Sequence, residues 1–270
     1  LFNAYIIDKS LRMLSKKWLK FIKALQIKKF RKENGAFLVE GAKSVLELMQ
    51  SGFRIRVLFA TQEFYQSSIR LANAQGFPIE IVTQEELEAA GVFHTNNACL
   101  AIADIRANEA LFAEENEYVL VLDEVKDPGN LGTIIRVADW YGIRKIVCST
   151  DTADLYNPKV ITASMGSFTR VRLYYCDLKE YLSGQADQPI YGAFLHGENL
   201  HQTRFEPAGY IVMGNESHGI GEDLQSLIFH KITIPRFGGA ESLNVGIATA
   251  IICDNLRKGL KDRGIEGQRD

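Results

Sequence analysis

Short apolar runs alternate with amphipathic stretches along almost the whole chain. Phe37-Leu-Val-Glu-Gly41, Arg56-Val-Leu-Phe-Ala60, Ile79-Glu-Ile-Val82 and Cys99-Leu-Ala-Ile-Ala103 are brief, rich in β-branched and aromatic residues, and read as strands. Between them, residues 43–50, 63–74 and 85–90 have helical spacing, with Gly52 and Gly76 as stops. Residues 15–32 give one longer helical pattern, in which Trp18, Leu19, Ile22, Leu25 and Phe30 are set against lysines until Gly35 breaks it. A second series begins with Tyr118-Val-Leu-Val-Leu-Asp123, whose apolar run suits the centre of a parallel sheet. Strands at 145–148, 171–175, 190–195, Tyr210 and Lys231 follow, with helices at 133–141, 158–165, 178–182 and 245–256. This alternation predicts an α/β protein, a parallel sheet with helices on both faces, preceded by a smaller α/β domain.

The pattern also sets boundaries. The smaller domain is expected over 13–105 and the larger over 118–262, joined by an acid-rich linker with a short helix at 106–117. From Arg257 the chain turns polar, and 263–270 are expected to form a flexible tail. Residues 1–12 precede Met13, where the sequence reads like a natural start, so they are taken as an upstream extension or a cloning remnant.

Bulk composition narrows the picture only a little. Of 270 residues, 46% are hydrophobic and 24% charged, ordinary values for a soluble globular protein. No run approaches the roughly 18 apolar residues of a membrane span, and no basic-then-apolar leader opens the chain. Cys99, Cys148, Cys176 and Cys253 are far apart among apolar neighbours. That spacing argues against a zinc site or a disulfide framework and for thiols in a reducing cytoplasm. The net charge of −2 does not advertise a nucleic-acid binder. Its distribution is more informative, because Lys16, Lys17, Lys20, Lys23, Lys28, Lys29, Arg31 and Lys32 crowd into a stretch without one acidic side chain. Such a stretch is either the solvated face of a helix or a phosphate-binding face for RNA.

The chemistry-bearing positions lie where predicted strands run into polar loops. Neither a G-x-G-x-x-G fingerprint nor a phosphate-binding P-loop follows the Tyr118 strand. What stands there is Asp127-Pro-Gly-Asn-Leu-Gly132, with Arg136 one helical turn further. Gly214-Asn-Glu-Ser-His-Gly219 follows the Tyr210 strand and sets a carboxylate between two glycines. Ser242-Leu-Asn244 precedes the last helix, where Ser242 is either its N-cap or a ligand to a polar substrate.

Taken in order, Asn130-x-Gly132-x-x-x-Arg136, Gly214-Asn215-Glu216 with Gly219, and Ile234-Pro235 with Ser242-Leu243-Asn244-Val245 resemble the three motifs of the SpoU/TrmH family of RNA ribose 2′-O-methyltransferases, within the SPOUT superfamily. The lysine-rich stretch with Phe37-Leu-Val-Glu-Gly41 resembles the substrate-binding domain that precedes the catalytic domain in many members. The resemblance implies a C-terminal trefoil knot that holds S-adenosylmethionine, and a homodimer with its sites near the subunit interface. It also implies a structured RNA substrate (ribosomal RNA ahead of tRNA) and no need for a metal or a membrane. It assigns Asn130, Arg136, Glu216, Ser242 and Asn244 to catalysis. To the cofactor it assigns Leu195, Met213, Gly214, Asn215, Gly219, Ile234, Ser242, Leu243 and Asn244. Because a guanidinium stays protonated in proteins, Arg136 is given the task of orienting a phosphate or hydroxyl, with Glu216 or Asn244 nearer the proton path. The chain departs from common family spellings at Arg236-Phe237, where a Met-containing pair is usual, at Gly246 in place of Ser, and at Ser217 in place of Gly. The competing reading is an RNA-binding or assembly protein that keeps the fold without the chemistry. The intact set of five catalytic candidates argues against it.

Overall fold

The computed structural model describes residues 14–93, 96–262 and 264. The proposed extension at 1–12, and all of the 263–270 tail but Gly264, lie outside that set. The chain forms two compact units. One runs through Ala107 and takes in Asp154–Thr169; the other comprises Asn108–Ala153 and the chain from Arg170 onward.

The first unit holds α1 (Lys16–Leu25), α2 (Lys28–Asn34), β1 (Ala36–Glu40), α3 (Ala42–Met49), β2 (Ile55–Ala60), α4 (Gln62–Gln75), β3 (Ile79–Ile81), α5 (Gln84–Ala90) and β4 (Cys99–Asp104). Its sheet has the order β1-β4-β2-β3. β4 lies antiparallel to both neighbours and β3 parallel to β2, so this sheet is mixed. On one face Leu38, Val57, Phe59, Leu100 and Ile102 pack against Ile22 and Leu25 of α1 and Leu87 of α5. Trp18 stands edge-on to Phe59, and its indole N–H donates to Glu80 at 2.9 Å, so its polar end is satisfied.

Two sequence expectations change in this unit. The single helix expected over 15–32 is two helices, broken where Ile27 adopts extended backbone (φ −99°, ψ 128°). The cause is Arg31. Its Nη1 donates to the carbonyls of Leu25 (3.0 Å) and Gln26 (2.8 Å), groups a helix end leaves without partners. Residues 154–169, expected in the larger domain, pack with this unit instead. Tyr156 and Phe168 meet Phe37 with ring centroids 4.6 and 6.1 Å away, and Asp154 pairs with Arg31.

The second unit carries β5 (Tyr118–Leu122), α6 (Pro128–Trp140), β6 (Lys145–Ser149), β7 (Arg172–Cys176), β8 (Ile190–Asn199), β9 (Gly209–Met213), β10 (His230–Thr233) and the long C-terminal helix Val245–Asp262. All its strand pairs are parallel, in the order β10-β8-β9-β5-β6-β7. Every residue of β5 and β9 is buried, as expected for central strands. The Val245–Asp262 helix outlasts its predicted end because Leu256 and Leu260 are buried and Arg257 donates to the Tyr141 carbonyl at 2.6 Å. The short helix expected in 106–117 is absent. Asn108 instead pairs with both backbone groups of Tyr175 on the edge strand β7 (2.8 and 2.9 Å), and Ala113 N–H binds the Tyr210 hydroxyl (3.0 Å). The Asn108 side chain thus ties the segment to the sheet edge, and the Tyr210 hydroxyl takes the Ala113 N–H that a helix would have used.

In a parallel sheet every strand delivers its C-terminal end to the same edge. Leu122 of β5 pairs with Met213 of β9, so the segments after them leave side by side. Between Lys231 and Ile232 of β10 the partner on β8 jumps from Gly192 to Glu198. β8 therefore makes an excursion that carries Leu195 and His196, and Leu195 is 69% exposed.

Candidate functional site

α6 begins earlier than its periodicity predicts. Asp127 is its N-cap, with Oδ1 accepting the Asn130 N–H at 2.8 Å, and Pro128 fits the first turn because it has no N–H to satisfy. Asn130 is thus in the first turn of a rigid helix rather than in a loop. Asp127 is a functional support that sequence reasoning passed over, although Asp directly before Pro is a helix-start signal.

The C-terminal helix starts at Val245, and its cap is Asn244 rather than Ser242. Asn244 Oδ1 accepts from Gly246 N–H (2.9 Å) and Ile247 N–H (3.3 Å). This fixes the amide, since its oxygen must face the helix and its nitrogen must face away. Asn244 Nδ2 donates to Asn130 Oδ1 at 2.8 Å, and Asn130 Nδ2 donates to Glu216 Oε1 at 2.5 Å. Capping therefore sets the direction of a three-residue chain, and Glu216 is left as pure acceptor at its end, the role of a carboxylate.

Glu216 sits in a tight loop. Asn215 and Gly219 exchange both backbone hydrogen bonds at 2.9 Å, and Ser217 N–H binds Asn215 Oδ1 at 2.8 Å. Gly214 is glycine for a reason internal to this loop, since a Cβ there would lie 2.2 Å from the Gly219 carbonyl carbon. Asp123, also missed by sequence reasoning, is 8% exposed and accepts the Gly221 N–H at 2.8 Å. Burial raises its carboxyl above the usual range, with the Gly221 bond working in the opposite direction. Its partner lies 98 residues on, and nothing local in the sequence marks the pair. Lys126 holds the neighbouring Glu124 carboxyl below the usual range, and His218 Nε2 lies 3.6 Å from Glu124 Oε2.

The structure joins Asn130, Glu216 and Asn244 by hydrogen bonds, but not Arg136 or Ser242. Both of these are exposed. Arg136 is six residues beyond Asn130 on α6, about a third of a turn round the helix.

Among the assigned cofactor residues, Met213 is buried at the end of β9, and Asn215 and Gly219 close the Glu216 loop. Thr233 Oγ1 donates to the Leu195 carbonyl at 3.1 Å, which places Ile234 beside the β8 excursion. Leu243, next to Asn244, is 47% exposed. At Gly197 a Cβ would come within 2.4 Å of the Lys231 carbonyl oxygen, so the two chain segments run in close contact. Accessible Leu side chains beside main-chain polar groups fit a flat adenosyl group, which needs apolar walls and a few fixed hydrogen-bonding partners.

On the lysine-rich stretch, Lys16, Lys17, Lys20, Lys23, Lys28, Lys29 and Lys32 are exposed, with Lys29 3.9 Å from Glu33. Arg31 is 2% exposed, and its Nη2 binds Asp154 at 2.6 Å. It is a structural cation and leaves the set of RNA-binding candidates.

Comparison with known proteins agrees with these motifs. The SpoU rRNA Methylase family model matches residues 117–254, and the MRM3-like substrate binding domain matches 16–101. A 23S rRNA guanosine 2′-O-methyltransferase of Bacillus subtilis is 28% identical, over 87% of this chain and 94% of its own. A solved Porphyromonas gingivalis protein, described as an RNA methyltransferase of the TrmH family, is 35% identical with a TM-score of 0.82, over 92% of this chain and 99% of its own. An rRNA methyltransferase from Sinorhizobium meliloti, solved with AdoMet bound, is 27% identical with a TM-score of 0.83, over 93% and 98%. With its three motifs joined at one sheet edge and more than half its length matched, this chain belongs to the SpoU rRNA methylase family.

Proposed function

We propose that the protein transfers a methyl group from S-adenosylmethionine to a ribose 2′-hydroxyl of ribosomal RNA. The observation that carries this reading is the Asn244–Asn130–Glu216 chain, which ties one residue from each motif into a single polar site. The Bacillus subtilis relative is named for 23S rRNA, and the Sinorhizobium meliloti rRNA methyltransferase is solved with AdoMet bound.

S-adenosylmethionine supplies, when bound, an electrophilic methyl group on a sulfonium. The residues of this chain have three tasks. Leu195, Met213, Gly214, Asn215, Gly219, Ile234, Ser242, Leu243 and Asn244 hold and bend the cofactor. Arg136 orients the acceptor ribose through a phosphate or hydroxyl, which its fork of donors suits. Glu216 faces the 2′-hydroxyl proton as an acceptor held in place by Asn130. The gain comes mainly from alignment, since an oriented nucleophile at near-attack distance removes much of the entropic barrier. Arg136 lies off the Asn130–Glu216 chain, which fits a homodimer with its sites close to the subunit interface. The exposed lysines of α1 and α2 contribute RNA affinity, and the family's C-terminal knot is the arrangement proposed for the segments around Leu195, Gly214 and Leu243.

The test is transfer of labelled methyl from S-adenosylmethionine to ribosomal RNA isolated from cells lacking the protein, followed by mapping of the ribose methylation. Transfer to a single ribosomal ribose supports the reading, and methylation of tRNA alone, or of no RNA, refutes it. In the same assay Arg136→Ala should lower turnover by roughly 100-fold or more while calorimetry shows little change in cofactor affinity.

A further inference from the structure

We propose that Asp123 is a positioning residue for Glu216, clamping the loop that carries it to the end of β5. The proposal rests on the reading of Glu216 as a catalytic group. Asp123 and Glu124 are the first residues beyond β5, and three points of the Glu216 segment fasten to them. Asp123 N–H donates to the Met213 carbonyl at 2.9 Å, where β9 ends. Asn215 Nδ2 donates to the Glu124 carbonyl at 2.7 Å, just before Glu216. Gly221 N–H donates to Asp123 Oδ2 at 2.8 Å, just after the loop closes. Glu216 therefore hangs between two fixed points.

The anchor is itself braced. Glu124 holds left-handed backbone (φ 52°), uncommon for a residue with a side chain, and its N–H donates to Ser149 Oγ at 2.9 Å. Ser149 Oγ lies 2.9 Å from Thr152 Oγ1, which donates to the Leu122 carbonyl at 3.1 Å. The ends of β5, β6 and β9 thus share one network. At Gly221 a Cβ would lie 3.3 Å from Asp123 Oδ2 and 2.9 Å from Asp223 Oδ1, so glycine keeps the N–H open to the carboxylate.

A carboxylate is costly to bury, and an uncharged acceptor would satisfy one N–H as well. What the segment takes from this side chain is the acceptor oxygen aimed at the Gly221 N–H, which an amide oxygen in the same place also supplies. Asp123 makes no hydrogen bond to Glu216 and acts through the backbone between Asn215 and Gly221. Asn130 reaches the same carboxylate directly from the other side. Placement matters here because an error of about 1 Å at a reacting group can cost roughly 100-fold in rate.

The test compares Asp123→Ala with Asp123→Asn, which keeps an acceptor oxygen. Turnover is measured with S-adenosylmethionine and ribosomal RNA from cells lacking the protein, and scaled to the fraction of molecules that bind cofactor. Asp123→Ala should lose roughly 100-fold in turnover with less than about threefold change in cofactor Kd, and Asp123→Asn should recover most of it. Amide hydrogen exchange across 215–221 should quicken in Asp123→Ala and not in Asp123→Asn. Unchanged exchange in Asp123→Ala, or unchanged turnover alongside a lower Tm, would overturn the clamp. A wild type that is inactive on every RNA would refute the methyltransferase reading alone, because exchange reports on the clamp without any activity.

Discussion

In α1 and α2 eight cations share one short stretch of sequence, whereas Asn130 bonds to Glu216 86 residues further on and to Asn244 114 residues further on. The crowded residues do not share a role. Seven of them are exposed lysines, and Arg31 is inside the fold holding two carbonyls and Asp154. The scattered residues are joined by hydrogen bonds, because parallel strands deliver their ends to one edge of the sheet. Density of charge along a chain is therefore a poor guide to which cations are free. Separation along a chain is likewise no obstacle to forming one site. Buried polar groups in the two units also differ in purpose. Arg31 and Glu40 hold backbone together, while Asp123 holds the loop that carries Glu216.

The sharpest way to break this contrast is at Arg31. Arg31→Ala should destabilise the protein by about 3 kcal/mol, because it strands the Asp154 carboxylate and the end carbonyls of α1. Lys20→Ala should stay within about 0.5 kcal/mol of wild type. Urea unfolding of the two variants decides the matter, and equal midpoints would dissolve the distinction.

Next in size is Asn244→Asp. Aspartate caps a helix as well as asparagine, so stability should move by no more than about 0.5 kcal/mol. The Asn130 amide, however, turns its oxygen to position 244 and its nitrogen to Glu216, so a carboxylate at 244 sets two acceptors face to face, and turnover should fall by roughly 30-fold. A stable variant with full activity would show that the polar chain has no part in the reaction.

Replacing Lys16, Lys20 and Lys23 by Gln tests the other surface. Three lost phosphate contacts should flatten the slope of log K against log salt by about 2 on single-stranded RNA, with cofactor binding intact. An unchanged slope would mean that these lysines only solvate α1.

The smallest effect concerns Glu40, which is buried and accepts the Val92 N–H at 2.9 Å. Burial raises its carboxyl above the ordinary 4.5, while hydrogen bonds from Val92, Phe93 and Asn96 oppose the shift. With a raised folded-state value, its contribution to stability is full below the unfolded value and declines as pH rises through the folded one. Stability of Glu40→Gln relative to wild type should therefore increase as the pH rises from 4 to 7. A constant difference across that range would show that burial does not govern this group.

The alternation of strands and helices was legible in the sequence, as were the candidates Asn130, Glu216 and Asn244, because each motif follows a predicted strand and the three stand in the order of the family they resemble. Boundaries read less well wherever a distant partner intervened. The pattern of 15–32 is continuous, and the break shows only in the folded chain, where Ile27 is extended and Arg31 binds the Leu25 and Gln26 carbonyls. The polar residues after Arg257 look like a tail, yet Leu260 and the bond from Arg257 to Tyr141 keep them helical.

What the sequence determined by itself follows from local physics. Apolar periodicity fixes the strands and helices, glycines permit the tight loops, and the order of the motifs identifies the family. The tertiary structure alone decided that residues 154–169 pack with the first unit, that Asn244 rather than Ser242 caps the last helix, that Arg31 is buried, and that Asp123 holds the Glu216 loop. Three of the four depend on a hydrogen bond or an aromatic contact with a partner far along the chain, and Asn244, whose capping bonds are local, is tied on its other side to the distant Asn130. A polar residue's sequence context gives its capacity to bond, and only the folded chain assigns the bond it makes.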